Sequence, residues 1–172
     1  NLILGFNGQM AFIENGYDVD FGFQSKESTF KNLMSLIPAV YKTDMAGIET
    51  QGDFSVGGFV KGKYVDTSDD LPSFQLKLDV KDGSFAYPDL PSTLEKVAVD
   101  LMISHPGGNA NKVEIDLKNL YLEAAQDPFS AKLKVKDALT DPFVEGMIKG
   151  ELNLEKWNSI IPMDEPLAGK IL

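Results

Sequence analysis

One histidine, no cysteine and 26 carboxylates bound what this 172-residue chain can do chemically. Without cysteine there is no disulfide, no thiolate nucleophile and no Cys-type zinc site. The sole histidine, His105, stands in Ser104-His105-Pro106-Gly107-Gly108, a turn signal, and reads as a loop residue. A Ser-His-Asp triad needs three side chains to converge, and no Gly-x-Ser-x-Gly elbow accompanies His105. Asp66, Asp69 and Asp70 lack the turn glycine and closing glutamate of a calcium loop, so they read as a solvated acidic loop. Asp79, Asp82 and Asp89 invite comparison with the paired carboxylates of glycosidases. In so acidic a chain, such groupings arise without function. Gly57-Gly58 and Pro106-Gly107-Gly108 have no Walker pattern and no strand-to-helix order around them, so they are not phosphate loops. The residues give no catalytic set, no metal site and no cofactor.

The elements that would carry these residues are strands. Phe74, Leu76, Leu78 and Val80 alternate with Gln75, Lys77, Asp79 and Lys81, which sets an apolar face against a polar one. Val97, Val99, Leu101 and Ile103 form a second alternating run. Val113, Ile115 and Leu117, continued by 120–124, form a third; Phe129, Ala131, Leu133 and Val135 a fourth; 144–154 a fifth. Upstream, Val19, Phe21 and Phe23 alternate, as do Ile48, Thr50, Gly52, Phe54 and Val56. One wet face marks antiparallel rather than parallel sheet. Turn signals at Asn15-Gly16, Asp82-Gly83, Asp127-Pro128 and Asp141-Pro142 separate the runs as in a meander. The polar run 66–70 predicts an exposed loop.

Two segments depart from this pattern, and each echoes the other. Phe30-Lys31-Asn32-Leu33-Met34-Ser35-Leu36-Ile37-Pro38 returns as Leu154-Glu155-Lys156-Trp157-Asn158-Ser159-Ile160-Ile161-Pro162, each followed by a polar loop and Ala-Gly. Phe30, Leu33, Met34 and Ile37 have helical spacing, so both copies predict short amphipathic helices ending near the prolines. A second echo sets Gly58-Phe59-Val60-Lys61-Gly62 against Gly146-Met147-Ile148-Lys149-Gly150. Repetition suggests an array built by adding units along an axis, with related units at about 17–65 and 129–172 of a single β-rich segment. The expected class is mainly β, bordering on α+β. It is an elongated, curved antiparallel sheet of repeated units with two short amphipathic helices.

The net charge is −10, and all 16 basic residues are lysine, which argues against nucleic acid and against docking on an anionic leaflet. No stretch approaches the roughly 20 apolar residues of a membrane helix. The chain begins without a methionine or a basic signal region and ends inside a strand-like run, and it reads as a segment of a longer protein.

The order of the punctuation adds a resemblance. Asp79-Val80-Lys81-Asp82-Gly83-Ser84-Phe85-Ala86-Tyr87-Pro88-Asp89-Leu90-Pro91 is followed by a strand and Pro106-Gly107-Gly108. Then come Ile115-Asp116-Leu117, Asp127-Pro128-Phe129, Asp141-Pro142-Phe143, Gly146-Met147-Ile148-Lys149-Gly150 and Ile160-Ile161-Pro162. This succession resembles the AsmA-like proteins of Gram-negative bacteria, especially the large versions in Bacteroidetes. That family is related to the bridge-like lipid transfer proteins, whose curved sheet forms an apolar trough. The resemblance implies a non-enzymatic periplasmic segment, its parent anchored in the inner membrane. It also implies a role in outer-membrane assembly or lipid transport, with phospholipid acyl chains or other envelope lipids as partners. A trough would be lined by Phe74, Leu76, Leu78, Val80, Val97, Val99, Leu101, Ile103, Leu133 and Val135. The same residues would serve the alternative, a closed-core β-domain for protein–protein interaction or adhesion. A carbohydrate-active enzyme on a β-scaffold is a third and remote reading.

Overall fold

A computed structural model describes residues 3–25, 28–29, 49–86 and 93–150. The two echo segments with predicted helices, 29–41 and 154–161, lie outside the described residues apart from Thr29. Strands make up 81% of what is described, and the only helix there is a 3-10 turn, Ala110–Lys112.

The strands are β1 (Leu4–Ile13), β2 (Gly16–Ser25), β3 (Ser28–Thr29), β4 (Glu49–Val65), β5 (Asp70–Leu71), β6 (Ser73–Ala86), β7 (Leu94–His105), β8 (Gly108–Asn109), β9 (Glu114–Ala124), β10 (Asp127–Lys136) and β11 (Phe143–Gly150). Eight form one open antiparallel sheet in the order β1-β2-β4-β6-β7-β9-β10-β11, with β3 on β4; β5 and β8 make a two-stranded ribbon. Within the eight-stranded sheet each long strand pairs the next long strand along the chain, as the alternation and frequent turns predict. The Leu4–Ile13 strand was not among the predicted runs, although Leu4, Phe6, Met10 and Phe12 alternate around Gly8.

Two turn predictions are corrected. Asp82-Gly83 does not end a strand; it is a bulge inside β6. Asp82 has φ 48, and pairing to β7 jumps from Val80↔Val99 to Gly83↔Val97. Facing it on β4, Gly52 has φ +104, and a Cβ there would sit 2.6 Å from the Gly83 Cα. An aspartate followed by a glycine serves a bulge as well as a turn, because both need a left-handed residue. Asp127-Pro128 likewise opens β10, and the turn lies two residues earlier. Ala125 (φ 50) and Gln126 (φ 71) are both left-handed, the signature of a type I′ hairpin. The composition rule misplaced this turn because neither residue is Gly, Asn or Asp.

The second echo is also recast. Gly58–Gly62 lies on β4 and Gly146–Gly150 on β11, with Val60 and Ile148 on one face and Lys61 and Lys149 on the other. Five antiparallel steps separate these strands in the sheet, so the two copies run in opposite directions. They are not related by simple translation along it.

The described residues form one layer. Only Phe54, Val80, Val113 and Ala124 are buried among their hydrophobic residues.

Candidate functional site

In an antiparallel ladder, directly opposite residues share a face. The registers therefore chain into rows. One row crosses all eight strands: Phe6, Phe23, Gly58, Leu76, Ile103, Ile115, Val135 and Val144. Every member is apolar or glycine. The row displaced by one residue reads Gly5, Gln24, Gly57, Lys77, Met102, Asp116, Lys134 and Glu145, and it lies on the other face. A slip of one residue in any strand would break both rows, so the two-faced pattern fixes the register.

All ten predicted lining residues stand on the apolar face. Phe74, Leu76, Leu78 and Val80 pair directly with His105, Ile103, Leu101 and Val99. Val97 rejoins the face opposite Gly83, after the bulge. Leu133 and Val135 lie two strands away on β10, and β9 bridges the gap through Leu117↔Leu133 and Ile115↔Val135. Ile115 and Leu117, already part of a predicted strand, therefore stand on the same apolar face. Phe6, Phe23 and Val144 extend it to both edges of the sheet. Alternation alone would have added them; only the order of pairing was hidden.

Large side chains on this face lie over glycines of neighbouring strands. A Cβ at Gly58 would meet the Phe23 Cζ at 2.9 Å and the Gln75 carbonyl oxygen at 2.1 Å; at Gly8 it would meet the Phe21 Cδ1 at 2.8 Å. The Phe rings cover exposed glycine backbone, which shields weak strand positions. Phe54 and Val80 are 2% and 3% exposed, whereas Leu76, Leu78, Leu101 and Ile103 are only half-buried. Toward the edges, Phe6 reaches 68% and Ile148 74%.

The other face carries the charge. Lys61 bonds Asp20 at 2.8 Å, Lys77 bonds Asp79 at 3.2 Å and Lys134 approaches Glu114 at 3.9 Å. Hydrogen bonds from the Lys61 and Lys77 ammonium groups to Asp20 and Asp79 push both lysines above their ordinary pKa. Near the β7 bulge, Lys96 and the Tyr121 hydroxyl both donate to Glu123, at 2.9 and 2.7 Å. Those bonds hold the Glu123 carboxyl below its ordinary range and raise Lys96 and Tyr121. Two depressions flank Phe59 on this face, lined by Asn7, Gln9 and Asp20 on one side and by Gln24, Ser55 and Gln75 on the other.

The acidic groupings do not converge on a reaction centre. Asp79 is tied to Lys77, Asp82 makes the bulge, and Asp89 lies outside the described residues. Asp66, Asp69 and Asp70 are exposed as predicted, though Asp70 enters the β5–β8 ribbon. Among the described residues no cluster of three His, Asp or Glu stands close enough to hold a metal ion.

His105 is corrected from a loop residue to a buried strand end, 2% exposed. Its ring stacks on Phe74 with centroids 5.5 Å apart. Nδ1 lies 3.2 Å from the Pro72 carbonyl and 3.1 Å from the Gly107 N–H, and Nε2 lies 2.9 Å from the Asn109 carbonyl, so both ring nitrogens have polar partners. The imidazole thus seals one end of the apolar face and anchors the loop leading to β8. No family model, no curated protein and no solved structure matches the chain.

Proposed function

We propose that this chain is a non-enzymatic segment of an AsmA-like envelope protein that lays acyl chains along its apolar sheet face. The observation that supports this reading most is the row from Phe6 to Val144: eight strands crossed without one polar side chain. An acyl chain needs continuous apolar contact and no specific polar partner, and each methylene removed from water gains about 0.8 kcal/mol. The incomplete cover of Leu76, Leu101 and Ile103 suits a face that exchanges its cover. The setting belongs to the same proposal: the periplasm, a parent anchored in the inner membrane, and a part in lipid transport or outer-membrane assembly.

The test is direct. The purified chain is extracted with organic solvent and analysed for phospholipid, with native mass spectrometry to count bound molecules. Copurifying lipid that is lost in Leu101→Asp, with the circular dichroism spectrum unchanged, supports the reading. A folded, lipid-free chain that also fails to take up a fluorescent fatty acid refutes it.

A further inference from the structure

Phe59 breaks the period of β4. Gly58 and Val60 stand on the apolar face, so alternation puts Phe59 among the charges, where it is 40% exposed. A lone exposed ring is ordinary; the surroundings of this one are not. Its ladder partner on β2 is Gly22, and two positions earlier on its own strand, on the same face, stands Gly57. Neither glycine has a side chain to cover the ring, and the two depressions that flank it have volumes of about 620 and 440 Å³. Their polar linings match. One holds the amides Asn7 and Gln9 with the ion pair Lys61–Asp20; the other holds the amides Gln24 and Gln75 with the ion pair Lys77–Asp79.

We infer that Phe59 and its two hollows form a binding platform for a neutral saccharide, one pyranose lying on the ring with its hydroxyls reaching into the hollows. The charges select a neutral ligand: each hollow is lined by one carboxylate and one ammonium bonded to each other, so neither hollow favours an anion or a cation. The amides select hydroxyls, because each primary amide both donates and accepts, as a sugar hydroxyl does. The ring selects the sugar's flat side. An aromatic face is electron-rich, and an all-equatorial pyranose presents a patch of axial C–H groups to it, a weak contact of the C–H donor kind. An acyl chain would use the ring but strip water from the amides without replacing it, which costs free energy. The platform lies on the opposite face from the Phe6–Val144 row and stands whether or not that row takes lipid.

Saturation-transfer difference NMR on the whole 172-residue chain reads binding, with cellobiose and diacetylchitobiose as probes at low millimolar concentration. Both are neutral and all-equatorial. The wild type should transfer saturation to at least one of them. Phe59→Leu keeps an apolar side chain and removes the ring, so transfer should be lost; Phe59→Trp should retain it. Phe143→Leu removes another exposed ring from the same face, 62% exposed on β11, and should change nothing. Leu101→Asp should also keep the signal, which separates sugar binding from lipid binding. Circular dichroism checks each fold. If Phe59→Leu fails to fold, Asn7→Ala with Gln9→Ala replaces it, two exposed side chains whose removal should weaken transfer. Three results overturn the inference: no transfer to either sugar from the wild type; transfer undiminished when the ring, or in its stead the amide pair, is removed; or an equal loss in Phe143→Leu, the mark of unspecific contact with exposed rings.

Discussion

Leu78 and Val80 occupy the same face of β6, two residues apart, yet differ in cover: Val80 is 3% exposed and Leu78 half-buried. Replacing each by aspartate asks how closed this face is. At Val80 the change removes about 1.5–3 kcal/mol of apolar burial. It also takes an unpaired carboxylate out of water, an effective cost of several kcal/mol. The sum, about 5 kcal/mol or more, rivals the whole stability of an ordinary domain. Val80→Asp should therefore fail to fold near neutral pH. Leu78 is less completely covered, so less burial is at stake, about 1–2 kcal/mol, and the new carboxylate keeps some of its water. Poorer strand propensity adds at most about 1 kcal/mol. Leu78→Asp should fold and lose about 2 kcal/mol, read as a lower urea midpoint with an unchanged slope. If Leu78→Asp unfolds as Val80→Asp does, the face is sealed at Leu78. The closed-core alternative then replaces the open one.

The β9–β10 turn offers a gain. Ala125 and Gln126 both hold left-handed φ, at about 1–2 kcal/mol each for ordinary residues, so Ala125→Asn with Gln126→Gly should stabilise by about 1–2 kcal/mol net of glycine entropy. Calorimetry should show a rise of about 2–6 °C. His105→Ala should cost about 3 kcal/mol through the cavity left against Phe74. It should also speed hydrogen exchange at Gly107, whose N–H loses its acceptor. The Lys96–Glu123 pair gives a pH signature. Unfolded, the Glu123 carboxyl titrates near 4.5; folded, its pKa is lower, so its contribution is whole above 4.5 and fades as pH falls through the folded value. On the alkaline side, Lys96 is raised above 10.5, so its contribution is whole below 10.5 and fades as pH climbs through the folded value. Tyr121, which also donates to Glu123, is raised above 10.0, so the stability gap between wild type and Glu123→Gln should be flat between 4.5 and 10.0 and narrow beyond each.

Faces were legible in the sequence; joints were not. Side chains alternate with a period of two wherever a strand has one wet side, so Phe74 to Val80 and Val97 to Ile103 could be assigned without coordinates. Bulges break that period locally. At Asp82 and again at Lys96 (φ 51), an extra residue keeps the face while shifting the count. The hairpin at Ala125-Gln126 was hidden because strand twist, rather than turn composition, selects its geometry. β1 was legible but unread: two glycines and two polar residues dilute a strand whose apolar positions are regular. His105 was misplaced because Pro106 and Gly107 mark a turn that starts only after it. Its burial depends on Phe74, a partner 31 positions upstream on another strand.

A sheet with three buried hydrophobic residues on its described strands, Phe54, Val80 and Ala124, poses an energetic question. Ordering each residue costs about 1–2 kcal/mol of conformational entropy, and folding normally recovers this largely through a packed core. Here much of the apolar area stands on a face that is incompletely covered, at Leu76, Leu78, Leu101 and Ile103. Anything that covers that face must add stability, whether an amphiphile or a protein partner. The increment follows mass action: a ligand at a hundred times its dissociation constant adds about 2.7 kcal/mol. A single-chain lysophospholipid kept below its micelle concentration should therefore raise the melting temperature progressively. The rise should vanish in Leu101→Asp and persist in Lys77→Asp, whose side chain lies on the opposite face of the same sheet. Equal rises in both variants would mean that detergent-like binding elsewhere is responsible. No rise in the wild type would mean that the Phe6–Val144 row is closed by the protein itself.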